Sequence, residues 1–284
     1  MPSRFLATAA ALAAATLACS GLTFSVQEIQ TGPTQTLSIH EPLPGAGQVA
    51  SLHVEMGSGM LRLSGGAPDL AEGTLRYNVA SWAPQVSRSG PELTIRQPVS
   101  TSTVSTQGPQ VVNEWNLQLG SVPMDLAIQA GTYQADLDLT GLPLRSLSIS
   151  EGASQSVVDF GAPNPETLDL FSYRTGASTV TLRNLVNAEF QTMSFDGGAG
   201  DYTFELGGNL QHPATLRIRV GLSSVRLLAP AGLNVRVTTQ GGLSSVQSDA
   251  GWQTNGSTYT HPGASPLLSI SVEMGIGSLS LLSE

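Results

Sequence analysis

Four histidines (His40, His53, His212 and His261), a single cysteine (Cys19) and the carboxylate pair Asp136/Asp138 are the side chains whose types could carry chemistry in this sequence. No histidine has a second kind of ligand at a spacing that would close a zinc site, which needs three or four converging donors. Asp136 and Asp138 lie two apart in an alternating segment and therefore share one strand face, where they read as solvated groups; a glycosidase dyad is the rival chemistry. No Gly-x-Ser-x-Gly elbow runs from a strand into a helix. All 12 basic residues are arginine, so lysine Schiff-base chemistry and the P-loop cation are both excluded. Gly197-Gly198-Ala199-Gly200-Asp201-Tyr202 resembles a calcium-binding roll, but it stands alone and its aspartate comes one position early. It reads as the glycine turn of one strand unit. No catalytic residue, cofactor or metal is expected.

Two groups remain as candidates for binding. Arg217, Arg219, Arg226 and Arg236 fall at outward positions of successive strands and could stack into a basic stripe that holds anionic glycan or lipid headgroups. The alternative is a solvated face paired with nearby carboxylates. Trp82 and Trp115 are either packing for a cap or an exposed aromatic platform for a partner or glycan.

The elements that must position these residues come from one repeated unit of alternating apolar residues, a small glycine-centred turn and alternating apolar residues again. Its first copy is Leu52-His53-Val54-Glu55-Met56-Gly57-Ser58-Gly59-Met60-Leu61-Arg62-Leu63, and its last is Ile270-Ser271-Val272-Glu273-Met274-Gly275-Ile276-Gly277-Ser278-Leu279-Ser280-Leu281. Between them, Gly131, Gly152, Gly176, Gly198, Gly221 and Gly242 recur at intervals of 21, 24, 22, 23 and 21. A step of about 22 lies in the range of solenoid repeats, and period-2 alternation means strands with one buried face. Glycine at the turn implies either positive φ or a bend too crowded for Cβ. The expectation is an all-β, single-stranded β-solenoid (β-helix) with Gly-rich turns, about 22 residues per rung; a two-sheet sandwich with regular hairpins is the alternative. Residues 73–119 break the repeat, with a polar loop over 100–108, and read as an atypical N-terminal capping region. An aromatic share of 5% predicts an aliphatic core of thin layers.

At 12% charged residues and a net charge of −9, the chain lacks the concentrated basic surface that nucleic acid requires. Arg4 followed by the apolar run 5–18 reads as a signal peptide over 1–18. The sequence Ala15-Thr16-Leu17-Ala18-Cys19 resembles a lipobox, which makes Cys19 a candidate lipid attachment; an ordinary signal peptide is the rival. Residues 19–48, rich in Gly, Pro, Thr and Ser, read as a flexible tether, 49–120 as the capping and first-rung region, and 121–284 as the repeats.

Several of these segments carry a family resemblance. Leu61-Arg62-Leu63-Ser64-Gly65-Gly66-Ala67, Leu70-Ala71-Glu72-Gly73, Tyr77-Asn78-Val79, Trp82 with Pro84, and Leu93-Thr94-Ile95-Arg96-Gln97-Pro98 resemble the bacterial toast-rack N-terminal domain. Trp115-Asn116-Leu117, Val122-Pro123-Met124-Asp125-Leu126 and Leu137-Asp138-Leu139-Thr140-Gly141-Leu142 are similar to its continuation. The chain is more distantly similar to adhesin-type β-helix domains and to the C-terminal domains of cell-wall-active-antibiotic response proteins. The resemblance implies an exported, envelope-facing β-solenoid with no catalytic residues to carry over. The functions expected are a surface-tethered structural, adhesin-like or interaction module, an envelope-stress sensor, or, as a third class, a polysaccharide-active β-helix enzyme. The expected partners are an envelope protein or glycan, the membrane through the N-terminal lipid, and further copies through the solenoid ends, where the first and last repeat copies would sit.

Overall fold

The computed structural model describes residues 30–98, 110–242 and 245–284; the segment 1–18 expected to be a signal peptide, Cys19 and the segment 100–108 expected to be a polar loop lie outside these. The described residues are mostly strand, with two short 3-10 turns at Ala80–Trp82 and Leu185–Ala188. In chain order the strands are β1 (Gln35–Glu41), β2 (Ala50–Ala67), β3 (Ala71–Tyr77), β4 (Gln85–Ser89), β5 (Glu92–Arg96), β6 (Asn113–Gly120), β7 (Met124–Asp138) and β8 (Leu144–Asp159). They continue with β9 (Leu170–Arg183), β10 (Thr192–Glu205), β11 (Ala214–Ala229), β12 (Gly232–Gly241), β13 (Ser245–Ser248), β14 (Gln253–Asn255), β15 (Thr258–His261) and β16 (Gly263–Ser283). One long open sheet contains them all, its main path running β1-β3-β6-β2-β7-β8-β9-β10-β11-β16-β12-β15-β14.

From β7 to β11 each strand pairs in parallel with its successor, and the partners Leu126, Leu147, Phe171, Met193 and Leu216 follow one another across the sheet. The alternation has its expected cause. Leu126, Ile128, Leu147, Ile149, Phe171, Phe195, Leu216 and Ile218 all turn inward and are buried, while the residues between them face solvent. The core is not uniformly aliphatic. Phe160, Phe171, Phe190, Phe195 and Phe204 converge in the middle strands as edge-to-face pairs, for example Phe195–Phe204 at 5.0 Å. A low total of aromatics concealed their concentration in one place.

Every long strand bends at the repeat glycine, and those glycines stack. A Cβ on Gly152 would stand 2.7 Å from the Gly131 carbonyl oxygen; on Gly221, 2.8 Å from that of Gly198; and on Gly275, 2.8 Å from that of Gly221. The bend therefore requires glycine through close approach of neighbouring backbones, the second of the two causes expected. Positive φ appears two residues later, at Gly59, Gly200 and Gly277. Buried asparagines stitch the return segments: Asn164 Nδ2 donates to Leu144 O at 2.7 Å and Asn187 Nδ2 to Phe160 O at 2.8 Å.

Three expectations are corrected. Residues 35–41 of the supposed tether form β1, antiparallel to β3, because Leu37 and Ile39 alternate and Ile39 is buried. The first and last repeat copies, in β2 and β16, are not at the ends of the sheet. β2 lies inside, its first arm covered by β5 and its second by β6; β16 lies between β11 and β12, its second arm covered by β13. The step from Gly221 to Gly242 continues the interval, yet the strand inserted between those two comes from the far end of the chain. At the N-terminal bend of β2, Gln97 Oε1 accepts the Gly57 N–H at 3.0 Å, and Asn113 Nδ2 donates to the same oxygen at 2.8 Å. These side chains occupy the place where a further bend would stack.

Candidate functional site

The outer and inner surfaces of the bent sheet hold all the polar groups of interest. Inside the bend, Glu151 continues the inward series of Leu147 and Ile149 and is buried. Its Oε2 accepts the Ser156 hydroxyl at 2.9 Å, and its Oε1 accepts that of Ser154. The hydroxyls of Tyr133, Tyr173 and Tyr202 are also buried. Burial, then the Glu151 charge, raises the pKa of Tyr133 and Tyr173 well above the usual phenol value, so both remain protonated donors. Two acceptor positions on the carboxylate remain for such donors. Sequence reading missed this cluster because Glu151 occupies an otherwise apolar register.

Outside the bend, the four arginines do not form one stripe. Arg219 Nε binds Asp196 Oδ1 at 2.7 Å and stands opposite Glu273 on β16. Arg217 lies beside Ser194 and Ser271, and Arg236 beside Ser269 and Thr260. Arg226 falls beyond the Gly221 bend, on the other arm, opposite Thr203 and Ser280. The bend separates residues that a straight strand would align, and the first arm carries alternating charge: Arg174, Asp196, Arg219 and Glu273 on successive strands.

Trp115 is fully buried and Trp82 is 4% exposed, so neither offers a ring face to a partner. Trp115 Nε1 donates to Asn113 Oδ1 at 2.9 Å and so braces the cap. Gly197, Gly198 and Gly200 form the bend of β10, and Asp201 stands beside Thr179 and Ser224; the turn reading of that motif holds.

The histidines are distributed among unrelated places. His53 Nε2 meets Ser51 Oγ at 3.2 Å. His261 is buried against Trp252 and its Nδ1 donates to Leu233 O at 2.8 Å. His212 lies 3.5 Å from Glu189, whose pKa is raised by burial and drawn back by that histidine. His40 is different, since its Nδ1 is 3.2 Å from Glu72 and its Nε2 3.3 Å from Asp69. Pairing of β1 with β3 brings His40 to two carboxylates that lie three residues apart near the start of β3. Asp136 and Asp138 share one outward face, as expected, and line a groove with Arg62. No helix among the described residues is long and apolar enough to cross a membrane.

Residues 28–172 match the family described as the N-terminal domain of toast_rack, DUF2154. No curated protein matches the sequence. Among solved structures, a candidate cell adhesion protein from Clostridium sporogenes ATCC 15579 superposes with a TM-score of 0.51 at 18% identity, over 90% of this chain and 100% of that one. A candidate adhesin from Bacteroides fragilis NCTC 9343 aligns over 90% and 99% of the two chains at 11% identity and a TM-score of 0.36. At 18% identity the likeness to the Clostridium protein concerns the fold alone.

Proposed function

We propose, from the premise that the chain belongs to the toast_rack N-terminal domain family, that it is an exported, non-catalytic adhesin-like module that works by presenting the outer face of its sheet. The observation that carries this reading is the continuous parallel register from β2 to β11, in which one bent strand shape is repeated so that outward side chains line up in rows. Such rows suit contact over a length of surface better than enclosure of a small substrate. The cell adhesion assignment of the Clostridium protein that shares the fold supports the same reading.

In its finer form the fold is a single-stranded β-solenoid with rungs of about 22 residues, the Gly131-to-Gly221 series marking successive rungs. Cys19 carries the lipid that anchors the module to the envelope membrane, and the partner is an envelope glycan or protein. Nucleic acid is excluded from the reading by the net charge of −9.

Deletion of the gene should reduce adherence of the producing cells to surfaces or to one another, and the full-length protein should restore it. A Cys19→Ala variant should move from the detergent phase to the aqueous phase in detergent partitioning. Unchanged adherence on deletion, together with no binding of purified protein to envelope preparations, would refute the adhesin reading.

A further inference from the structure

On the second arm of the N-terminal strands the outward side chains form two adjacent polar rows. In the first, Thr74, Asn116, Arg62 and Asp136 stand side by side on β3, β6, β2 and β7. In the second, Glu72 lies opposite Gln118, Gln118 opposite Ser64, and Asp138 follows the Leu63–Leu137 pair on β7. Between them runs an open groove of about 460 Å³, crossing four strands. Its length is about 14 Å, three strand spacings of about 4.8 Å.

The groove has a specific chemistry. Asn116, Gln118, Asp136, Asp138 and Arg62 are planar groups that give or take paired hydrogen bonds, the geometry that matches neighbouring hydroxyls on a sugar ring. Arg62 and Asp136 are directly opposite in register, yet no ion pair among the described residues joins them. Among the described residues the guanidinium donates to Asn116 Oδ1 alone, at 3.4 Å. A cation and an anion held side by side but apart leave a donor and an acceptor ready for one ligand. Two aspartates against one arginine give the groove a net negative charge, which disfavours a polyanion. The aromatic rings nearby are buried, Trp115 wholly so, so recognition here is by hydrogen bonds. Polar groups repeating at the strand spacing suit a chain of sugars whose rise is of similar length.

We propose that this groove binds an uncharged, hydroxyl-rich glycan laid across β3, β6, β2 and β7, with Arg62 and Asp136 as its central contacts. The inference rests on the adhesin-like reading and names its ligand class. The test is calorimetric titration of the full-length protein with cellohexaose and chitohexaose as uncharged probes and hexagalacturonate as the acidic one. At least one uncharged hexasaccharide should bind saturably and the acidic one should not. Asp136→Ala and Arg62→Ala should each weaken binding at least tenfold without lowering the melting temperature, since both residues are exposed. Arg174→Ala, on the first arm, should leave binding unchanged.

Absence of saturable binding by both uncharged probes, equal or tighter binding of hexagalacturonate, or equal loss from Arg174→Ala would overturn the assignment. Cells that adhere through the protein while the hexasaccharides fail to bind would overturn the groove but not the adhesin reading. Groove binding without any contribution to adherence would do the reverse.

Discussion

Gly198→Ala tests the cause of the bend directly. Its Cβ would lie 2.3 Å from the Gly176 carbonyl oxygen, whereas an ordinary contact needs about 3.4 Å or more. The β9 and β10 backbones would have to separate by about 1 Å. That would stretch the flanking hydrogen bonds from about 2.9 Å to beyond the useful range. Loss of about two such bonds, at ~1 kcal/mol each, adds to an overpacking cost of ~1–3 kcal/mol. Reduced freedom of the unfolded chain returns ~0.4–1 kcal/mol. The expected net loss is about 2–4 kcal/mol. Gly221→Ala, with 2.8 Å to the Gly198 carbonyl, needs about half the movement and should cost ~1 kcal/mol. Gly32→Ala is the control, since its nearest atom would be 3.9 Å away, and it should stay within ~0.5 kcal/mol of the native chain. Urea unfolding of the full-length variants, followed by far-ultraviolet circular dichroism, measures all three. If Gly198→Ala is no more destabilising than Gly32→Ala, close backbone approach is not what requires glycine.

Three further outcomes are expected. Glu151→Leu removes the shared acceptor of Ser154 and Ser156 and strands the surrounding hydroxyls, at a cost of ~2–4 kcal/mol in urea unfolding; Glu151→Gln, which still accepts, should cost less, and equal losses would refute the network. Burial raises the pKa of Glu189, so its protonated form favours the folded state, and that contribution disappears as pH rises through the folded-state pKa. The melting temperature of Glu189→Gln relative to native should therefore be higher at pH 8 than at pH 4, and a difference of opposite sign would contradict the assignment. Finally, burial of Trp82, Trp115 and Trp252 predicts blue-shifted emission with little quenching by iodide; strong quenching would place at least one ring on the surface.

The repeat was legible in the sequence because each glycine of the bend touches the one before it. Gly131, Gly152, Gly176 and Gly198 had to recur at the length of one strand and its return. Alternation was legible for the same local reason, and it marked the apolar positions of β7 to β11. Strand order was not legible. Nothing near Gly242 shows that Gly275 will lie beside it, because that neighbour is fixed by pairing across distant chain. Side-chain sites suffered similarly. Asp136 and Asp138 could be placed on one face from their spacing alone, but Arg62 joined them only through the β2–β7 register. His40 met Glu72 through the β1–β3 pairing, and Asp69 through the short connection that leads into β3. The basic stripe failed because a bend at Gly221 places Arg226 on a different arm from Arg219, a change of direction that residue counting does not register.

The position of β16 between β11 and β12 has a consequence for the order in which the molecule can be made. The strand that joins these two follows both of them in the chain and so is synthesised after both. Until Gly263–Ser283 is available, β11 and β12 face each other across a gap one strand wide, each with an unmatched row of backbone groups. This part of the sheet therefore closes only after β16 has been synthesised. A chain assembled this way stays unlocked at one end while it is being made, and truncation anywhere before β16 removes the piece that locks it.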